Sequence, residues 1–100
     1  MFVGIGRFEL FIPAATSLKD KRQVLRSVID GIRKRYNVAI AEVDHQDLWQ
    51  RAAIGVTCVS NSSDQCTKIM NEIDRAVTRA AIDGAEITER SIDVYSEDDL

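Results

Sequence analysis

The order of strand-like and helix-like segments is the feature of this sequence that most restricts its fold. Four runs rich in β-branched and aromatic residues are interspersed with two runs whose apolar residues recur every three or four positions. In chain order these segments are residues 2–12, 17–36, 38–43, 52–60, 61–83 and 85–95. The predicted order is therefore strand, helix, strand, strand, helix, strand. Two right-handed crossovers that share one sheet place both helices on the same face of it.

This order predicts an α+β fold, a ferredoxin-like split βαβ sandwich with a four-stranded antiparallel sheet and two helices on one face. The expected strand order is 4-1-3-2. At 100 residues the chain is expected to form a single domain over 1–100, with residues 96–100 as a frayed acidic tail. The other face of the sheet is left open, so it must meet solvent, a partner or a second copy of the chain.

The charge of the chain is distributed unevenly. The net charge is −3, but residues 17–36 carry seven basic and two acidic side chains, and the remainder carries six basic and fourteen acidic ones. At 100° per residue, four cations of the first helix fall within an arc of about 60° beside its apolar stripe. This set, which we call the basic ridge, is Lys19, Arg22, Arg26 and Arg33.

Cations on one rigid element suit a phosphate backbone, because each neutralised phosphate releases counterions and a guanidinium binds phosphate through two donors. The alternative is a solvated helix face without a ligand. The second helix serves as an internal comparison, since its outer face mixes charges of both signs in a pattern typical of ion pairing along a helix. Those residues are Lys68, Glu72, Arg75 and Arg79.

Lys21 falls within the apolar arc of the first helix, close to its N-terminus. Such a lysine can extend its ammonium to the rim of the core, or aim it at the strand ends and an anion there. We favour the first interpretation.

The polar segment 44–51 is long for a hairpin connection and holds the single His and the single Trp of the chain. His45 and Asp47 could take part in acid–base chemistry, but no nucleophile or phosphate-binding loop accompanies them. Trp49 could anchor a protein interface or stack on a base. It could equally be a lid that closes one end of the sheet, with Asp47 and Arg51 paired across the loop.

Metal, cofactor and membrane functions have little support. Cys58 and Cys66 have neither CxxC spacing nor a nearby His, so we expect two buried, reduced thiols, no metal and no cofactor. The longest nearly apolar stretch, residues 8–15, is far shorter than the roughly 20 residues of a membrane span. The N-terminus lacks the pattern of a signal peptide. The expected location is the cytoplasm.

Several segments resemble a known family. They are SLKDKR at 17–22, NV at 37–38, AEV at 41–43, HQDLWQRA at 45–52, GV at 55–56 and VSN at 59–61. Together they are similar to the YlxP-like family of small uncharacterised bacterial proteins, over roughly residues 1 to 95. The resemblance implies a ferredoxin-like fold, no established activity, and genes that commonly neighbour those for translation initiation and ribosome maturation.

Three functional hypotheses follow. The first is a non-catalytic factor that binds RNA or a ribosomal subunit through the basic ridge and Lys21, with the segment 44–51 giving specificity. The second is a protein-interaction module that forms a homodimer through the open sheet face and docks a partner through the segment 44–51, which we call the Trp49 loop. The third is an enzyme or small-ligand sensor, which requires His45, Asp47 and Lys21 to converge in one polar pocket. No catalytic residue is assigned.

Overall fold

The computed structural model describes all 100 residues and contains the six expected elements in the expected order. They are β1 (Phe2–Phe11), α1 (Leu18–Arg35), β2 (Ala39–Asp44), β3 (Arg51–Ser60), α2 (Ser63–Ala81) and β4 (Glu86–Ser96), followed by a 3-10 turn (Glu97–Asp99). Each boundary lies within about two residues of the one that the sequence predicts. The ferredoxin-like α+β class is confirmed.

The four strands form one antiparallel sheet in the order β2-β3-β1-β4, which is the predicted order read from the other edge. At the centre of the sheet, Arg7 on β1 lies opposite Gly55 on β3 and Ser91 on β4. A bulge between Glu42 and Asp44 shifts the register of β2 against β3. An extra residue in one strand bends that strand and redirects its side chains, so the end of β2 differs from a regular ladder.

Helix α1 begins as its sequence predicts. The hydroxyl of Ser17 accepts a hydrogen bond from the amide of Asp20 at 3.1 Å. The carboxylate of Asp20 in turn accepts from the amide of Thr16 at 3.0 Å and from its hydroxyl at 2.8 Å. These bonds satisfy donors at the helix start that have no partner within the helix. Tyr36, the last residue of the predicted helical segment, caps the other end.

The main core lies between the helices and the face of the sheet that they cover. Its largest members come from β1, β3 and both helices and include Phe8, Leu10, Val28, Ile54 and Ile73. A smaller cluster of Cys58, Cys66 and Met70 extends the core toward the start of α2. Neither helix is long and apolar enough to cross a membrane.

The end of the chain differs from the frayed tail that the sequence predicts. β4 continues through Ser96, and the amide of Glu97 donates to the carbonyl of Met1 at 2.9 Å. The Glu97 carboxylate also lies 2.8 Å from the terminal ammonium of Met1. The acidic end is therefore held against β1 by a backbone bond and an ion pair, which sequence patterns at the chain end do not reveal.

Candidate functional site

Lys21 is the buried charged residue of this fold. Its side chain is 1% exposed, so the favoured interpretation, in which the ammonium reaches the rim, is wrong. The Nζ atom donates to three backbone carbonyls, those of His45 at 2.8 Å, Gln46 at 3.2 Å and Arg51 at 3.3 Å. An ammonium has three donors, and each finds an acceptor at the strand ends.

The charge of Lys21 is compensated by Glu42 on β2. The Oε2 atom of Glu42 lies 3.0 Å from the Lys21 Nζ atom. It accepts no well-directed hydrogen bond, since the three carbonyls take the three ammonium protons. A buried charge is tolerated when a counter-ion and hydrogen bonds replace its water. The second interpretation of Lys21, an ammonium aimed at the strand ends and an anion there, describes the structure. The anion is the protein's own carboxylate, so Lys21 offers no free donor to a ligand.

The loop between β2 and β3, residues 45–50, is held at both ends. His45 has φ = 64°, a left-handed conformation, and its amide donates to the Asp44 carboxylate at 2.8 Å. The amide of Leu48 closes a turn on the carbonyl of His45 at 3.0 Å. At the other end, the backbone carbonyl of Gln50 accepts from the amide of Ile12 at 2.8 Å. The side-chain amide of Gln50 donates to the carbonyl of Pro13 at 2.9 Å.

Trp49 stands between these anchored residues and is 54% exposed. The lid interpretation is therefore wrong, because an exposed indole does not close the sheet, and Asp47 and Arg51 form no ion pair within 4 Å. The indole instead borders a cleft of about 520 Å³ between the loop and the β1–α1 connection. The cleft is lined by Ala15, Thr16, Leu48, Trp49, Gln50 and Arg51.

The basic ridge divides into two parts. Lys19, Arg22 and Arg26 are exposed and have no carboxylate within 4 Å. Arg33 is occupied, because its guanidinium donates to the carbonyl of Ile40 at 2.9 Å and lies 3.6 Å from the Asp30 carboxylate. The contact with Ile40 shows that the ridge side of α1 runs along the edge strand β2.

The outer face of α2 gives the matched comparison. Its four charges are three cations and one carboxylate, and they form none of the ion pairs that their spacing favours; they are Lys68, Glu72, Arg75 and Arg79. Opposite charges still lie one helical turn apart there, so the field on α2 has no single sign. On α1, Lys19, Arg22 and Arg26 have no carboxylate within 4 Å, and Asp30 pairs with Arg33.

The structure does not bring together the three residues of the enzyme hypothesis. Lys21 reaches only the backbone carbonyl of His45, on the helix side of the sheet, while the imidazole turns to Glu9 on the open face. Asp47 is exposed and lies within 4 Å of no cation. No three His, Cys, Asp or Glu side chains are arranged to hold a metal ion.

The DUF503 family, described as proteins of unknown function, matches residues 3–92. This chain belongs to the DUF503 family. It is 36% identical over 87 residues to the uncharacterized protein YlxP of Bacillus subtilis strain 168, an alignment that covers 77% of this chain and 95% of that relative. The resemblance to YlxP-like proteins is confirmed.

Solved structures show the fold of this DUF503 protein in other chains. A putative chlorite dismutase superposes with a TM-score of 0.59 at 12% identity, over 99% of this chain and 46% of that one. A designed protein with a ferredoxin fold superposes with a TM-score of 0.54 at 14% identity, over 97% of this chain and 87% of that one. At such identities the likeness shows the fold alone.

The open face of the DUF503 sheet carries a charge cluster that the sequence reasoning missed, formed by Arg7, Glu9, Asp44 and His45. The His45 Nε2 atom lies 3.1 Å from Glu9, and the Arg7 guanidinium lies 3.0 Å from Glu9 and 3.2 Å from Asp44. The backbone amide of His45 and, secondly, the Arg7 guanidinium lower the pKa of Asp44. Strand alternation places Arg7 and Glu9 on this face, but the bulge and the left-handed His45 have no sequence signature.

The rest of the open face is more apolar. Ile5, Val43, Val59 and Tyr95 are 37–63% exposed on it. Gly55 provides a shallow depression of about 420 Å³ near Val43, where a Cβ atom would meet the Val43 side chain at 2.8 Å. Exposed apolar side chains on one sheet face mark a surface that can be covered.

Proposed function

We propose that this DUF503 protein is a non-catalytic RNA-binding factor that contacts phosphates through Lys19, Arg22 and Arg26. The observation that carries the proposal is that these three exposed cations share one side of α1 without any carboxylate within 4 Å. Phosphate then competes with no internal ion pair. Each contact neutralises a backbone charge and releases counterions, which favours binding at low salt.

The ridge lies on a rigid support, which favours binding of a polyanion. α1 is capped at its start by Ser17 and fixed to β2 by Arg33. From Lys19 to Arg26 the helix rises about 10 Å, so the three cations can contact successive phosphates of one strand. RNA or a ribosomal subunit in the cytoplasm is the proposed partner, in line with the gene neighbourhood that the YlxP-like resemblance implies.

The test is RNA binding across a salt series. With three phosphate contacts on a single strand, the slope of log K against log salt should be about −2, which means an affinity loss of roughly 15-fold between 50 and 200 mM salt. The double variant Arg22→Glu, Arg26→Glu should lose most of the affinity and flatten the slope.

The matched control is Lys68→Glu with Arg75→Glu, which changes the net charge by the same amount on the exposed face of α2. This control should retain more affinity than the α1 variant. An equal loss of RNA affinity in both variants would attribute binding to net charge and would reject the basic ridge as the binding surface. In a bacterial lysate, capture of the protein's partners should be lost on RNase treatment.

A second candidate function, an interaction module that dimerises, is favoured by the exposed apolar side chains of the open face. Three strands of 10 or 11 residues and the six-residue β2, about 4.8 Å apart with a rise of about 3.3 Å per residue, present roughly 600 Å² per protomer. That area reaches the lower end of specific interfaces, which bury roughly 1,200 Å² in total. The Trp49 loop would then remain free to dock another protein.

Sedimentation at increasing concentration tests the dimer. Val59→Lys should shift the protein to monomer, because it places a charge in the covered patch. Ile82→Lys should not, since Ile82 is 76% exposed at the end of α2 and away from the sheet face. A wild-type protein that stays monomeric at several hundred micromolar would reject this function.

A further inference from the structure

The cleft beside Trp49 is preorganised. Lys21 fixes the carbonyls of His45, Gln46 and Arg51, and Gln50 is bonded to both Ile12 and Pro13. The indole thus projects from a loop whose backbone is held on either side of it. A rigid aromatic residue loses little conformational freedom on binding, which is why preorganised aromatics make effective contacts.

The cleft and the basic ridge lie along the same edge of the molecule. Arg33 places the ridge side of α1 along β2, and β2 runs directly into the loop that carries Trp49. At the other end of the ridge, Lys21 ties the first turns of α1 to the same loop. Thr16, which lines the cleft, lies in the connection that leads into α1, three residues before Lys19.

The lining of the cleft combines an aromatic surface with an unpaired cation. Trp49 and Leu48 are 54% and 45% exposed, and Arg51 has no carboxylate within 4 Å. The Asp20 carboxylate nearby is engaged by the amide and hydroxyl of Thr16. An apolar protein side chain would pack on Trp49 and Leu48 but would leave Arg51 without a counter-charge. A nucleotide supplies a flat base and a phosphate in one ligand.

The volume also fits a small planar group, because about 520 Å³ falls in the roughly 300–1,000 Å³ range of small-molecule pockets. A base in an A-form duplex is stacked on both faces and cannot enter. Sequence-tolerant recognition of single strands uses aromatic platforms beside cationic grooves.

We propose that the Trp49 cleft binds an unpaired base of a single-stranded RNA segment whose neighbouring phosphates lie on Arg51, Lys19 and Arg22. The proposal rests on the proposed RNA-binding function and names its substrate class. Lys21 acts as a positioning residue, since it fixes the loop and contacts no ligand.

Trp49 is the only tryptophan of the chain, so fluorescence excited at wavelengths that the two tyrosines do not absorb reports on the cleft alone. A 12-nucleotide single-stranded RNA should quench this fluorescence, and the blunt duplex of the same sequence should leave it nearly unchanged. In anisotropy measurements with labelled RNA, Trp49→Leu should weaken single-strand binding by about ten-fold or more. Trp49→Phe should retain most of the affinity, because a phenyl ring still stacks.

The outcomes separate this proposal from the function on which it rests. If Arg22→Glu with Arg26→Glu abolishes binding but Trp49→Leu binds like wild type, the base site is rejected and RNA binding stands. If neither RNA binds the wild-type protein, both fall. An equal loss of single-strand and duplex affinity in Trp49→Leu rejects stacking, and quenching by a polyglutamate peptide as strong as by RNA assigns the cleft to an acidic protein.

Discussion

Lys21 Nζ lies 3.0 Å from Glu42 Oε2 on the helix-covered side of the sheet, and the same Nζ donates to the carbonyl of His45 at 2.8 Å. One buried ammonium therefore joins α1, β2 and the Trp49 loop. His45 continues the connection, because its imidazole meets Glu9 on the open face. The loop conformation depends on a charge that the helix supplies.

Replacing Lys21 with Met should destabilise the protein by about 3 kcal/mol, because it leaves the Glu42 carboxylate and three carbonyls without their partner. Glu42→Gln should cost less, since an amide oxygen still faces the ammonium. The double variant Lys21→Met, Glu42→Leu should recover part of the loss, as removing both members of a buried pair avoids the uncompensated charge. Urea unfolding followed by circular dichroism measures all three.

Arg26→Met is the control for this prediction, because Arg26 is an exposed cation on the same helix without an ion pair. It should change the unfolding free energy by less than about 0.5 kcal/mol. If Lys21→Met were as mild as Arg26→Met, the buried pair would not be holding the loop.

The sequence predicts the elements and their order because strand alternation and helix periodicity are local patterns. Phe8 and Leu10 are two residues apart on β1 and share the core face, as strand alternation requires, and Ser17 is a residue type that favours the N-cap position it occupies. Lys21 escapes such reasoning, since its position on the apolar arc is visible but its three carbonyl acceptors lie 24 or more residues away, in the β2–β3 loop and at the first residue of β3. Arg33 escapes it for a different reason, because its acceptor is the backbone carbonyl of Ile40 on the edge strand β2, and a side-chain pattern does not show which backbone carbonyls are free to accept.

Gly31 lies within α1, and a Cβ atom built there meets nothing within 4 Å. Gly31→Ala should therefore raise the unfolding free energy by about 1 kcal/mol, since alanine restricts the unfolded chain and favours the helix. The contrasting variant is Gly4→Ala on β1, where a Cβ atom would collide with Met70 and approach the Cys58 sulfur at 3.1 Å. Thermal unfolding should show the first variant above wild type and the second below it. A destabilised Gly31→Ala would show that this helix face packs against something.

Acid should weaken the start of α1. The amide of Thr16 and, secondly, its hydroxyl lower the pKa of the Asp20 carboxyl. A lowered folded-state pKa contributes stability above the unfolded carboxyl pKa of about 3.9, and this stability is lost as the pH falls below that value. Asp20→Asn should therefore be less stable than wild type at neutral pH, and the difference should shrink on acidification.

Urea midpoints at a series of pH values measure this difference. Asp98→Asn is the control, because its carboxylate has no cation within 4 Å and accepts no hydrogen bond. Its midpoint should match wild type throughout. A gap between Asp20→Asn and wild type that stays constant down to strong acid would contradict the role of the charge.

The thiols of Cys58 and Cys66 lie 3.5 Å apart in the core and should be chemically inert in the folded protein. Burial and, secondly, the hydrogen bond with Cys58 raise the pKa of Cys66 to about 11. Because the thiolate is the reactive form, an aromatic disulfide reagent at pH 8 should modify neither cysteine until urea unfolds the chain. A raised folded-state pKa contributes stability that is lost as the pH climbs from the unfolded thiol value of about 8.5 toward about 11. Cys66→Ala should begin less stable at pH 7, since it leaves a small cavity, and should lose less stability across that alkaline range than wild type. Rapid modification of the native protein at pH 8 would contradict this account, because it would require a thiolate within reach of solvent.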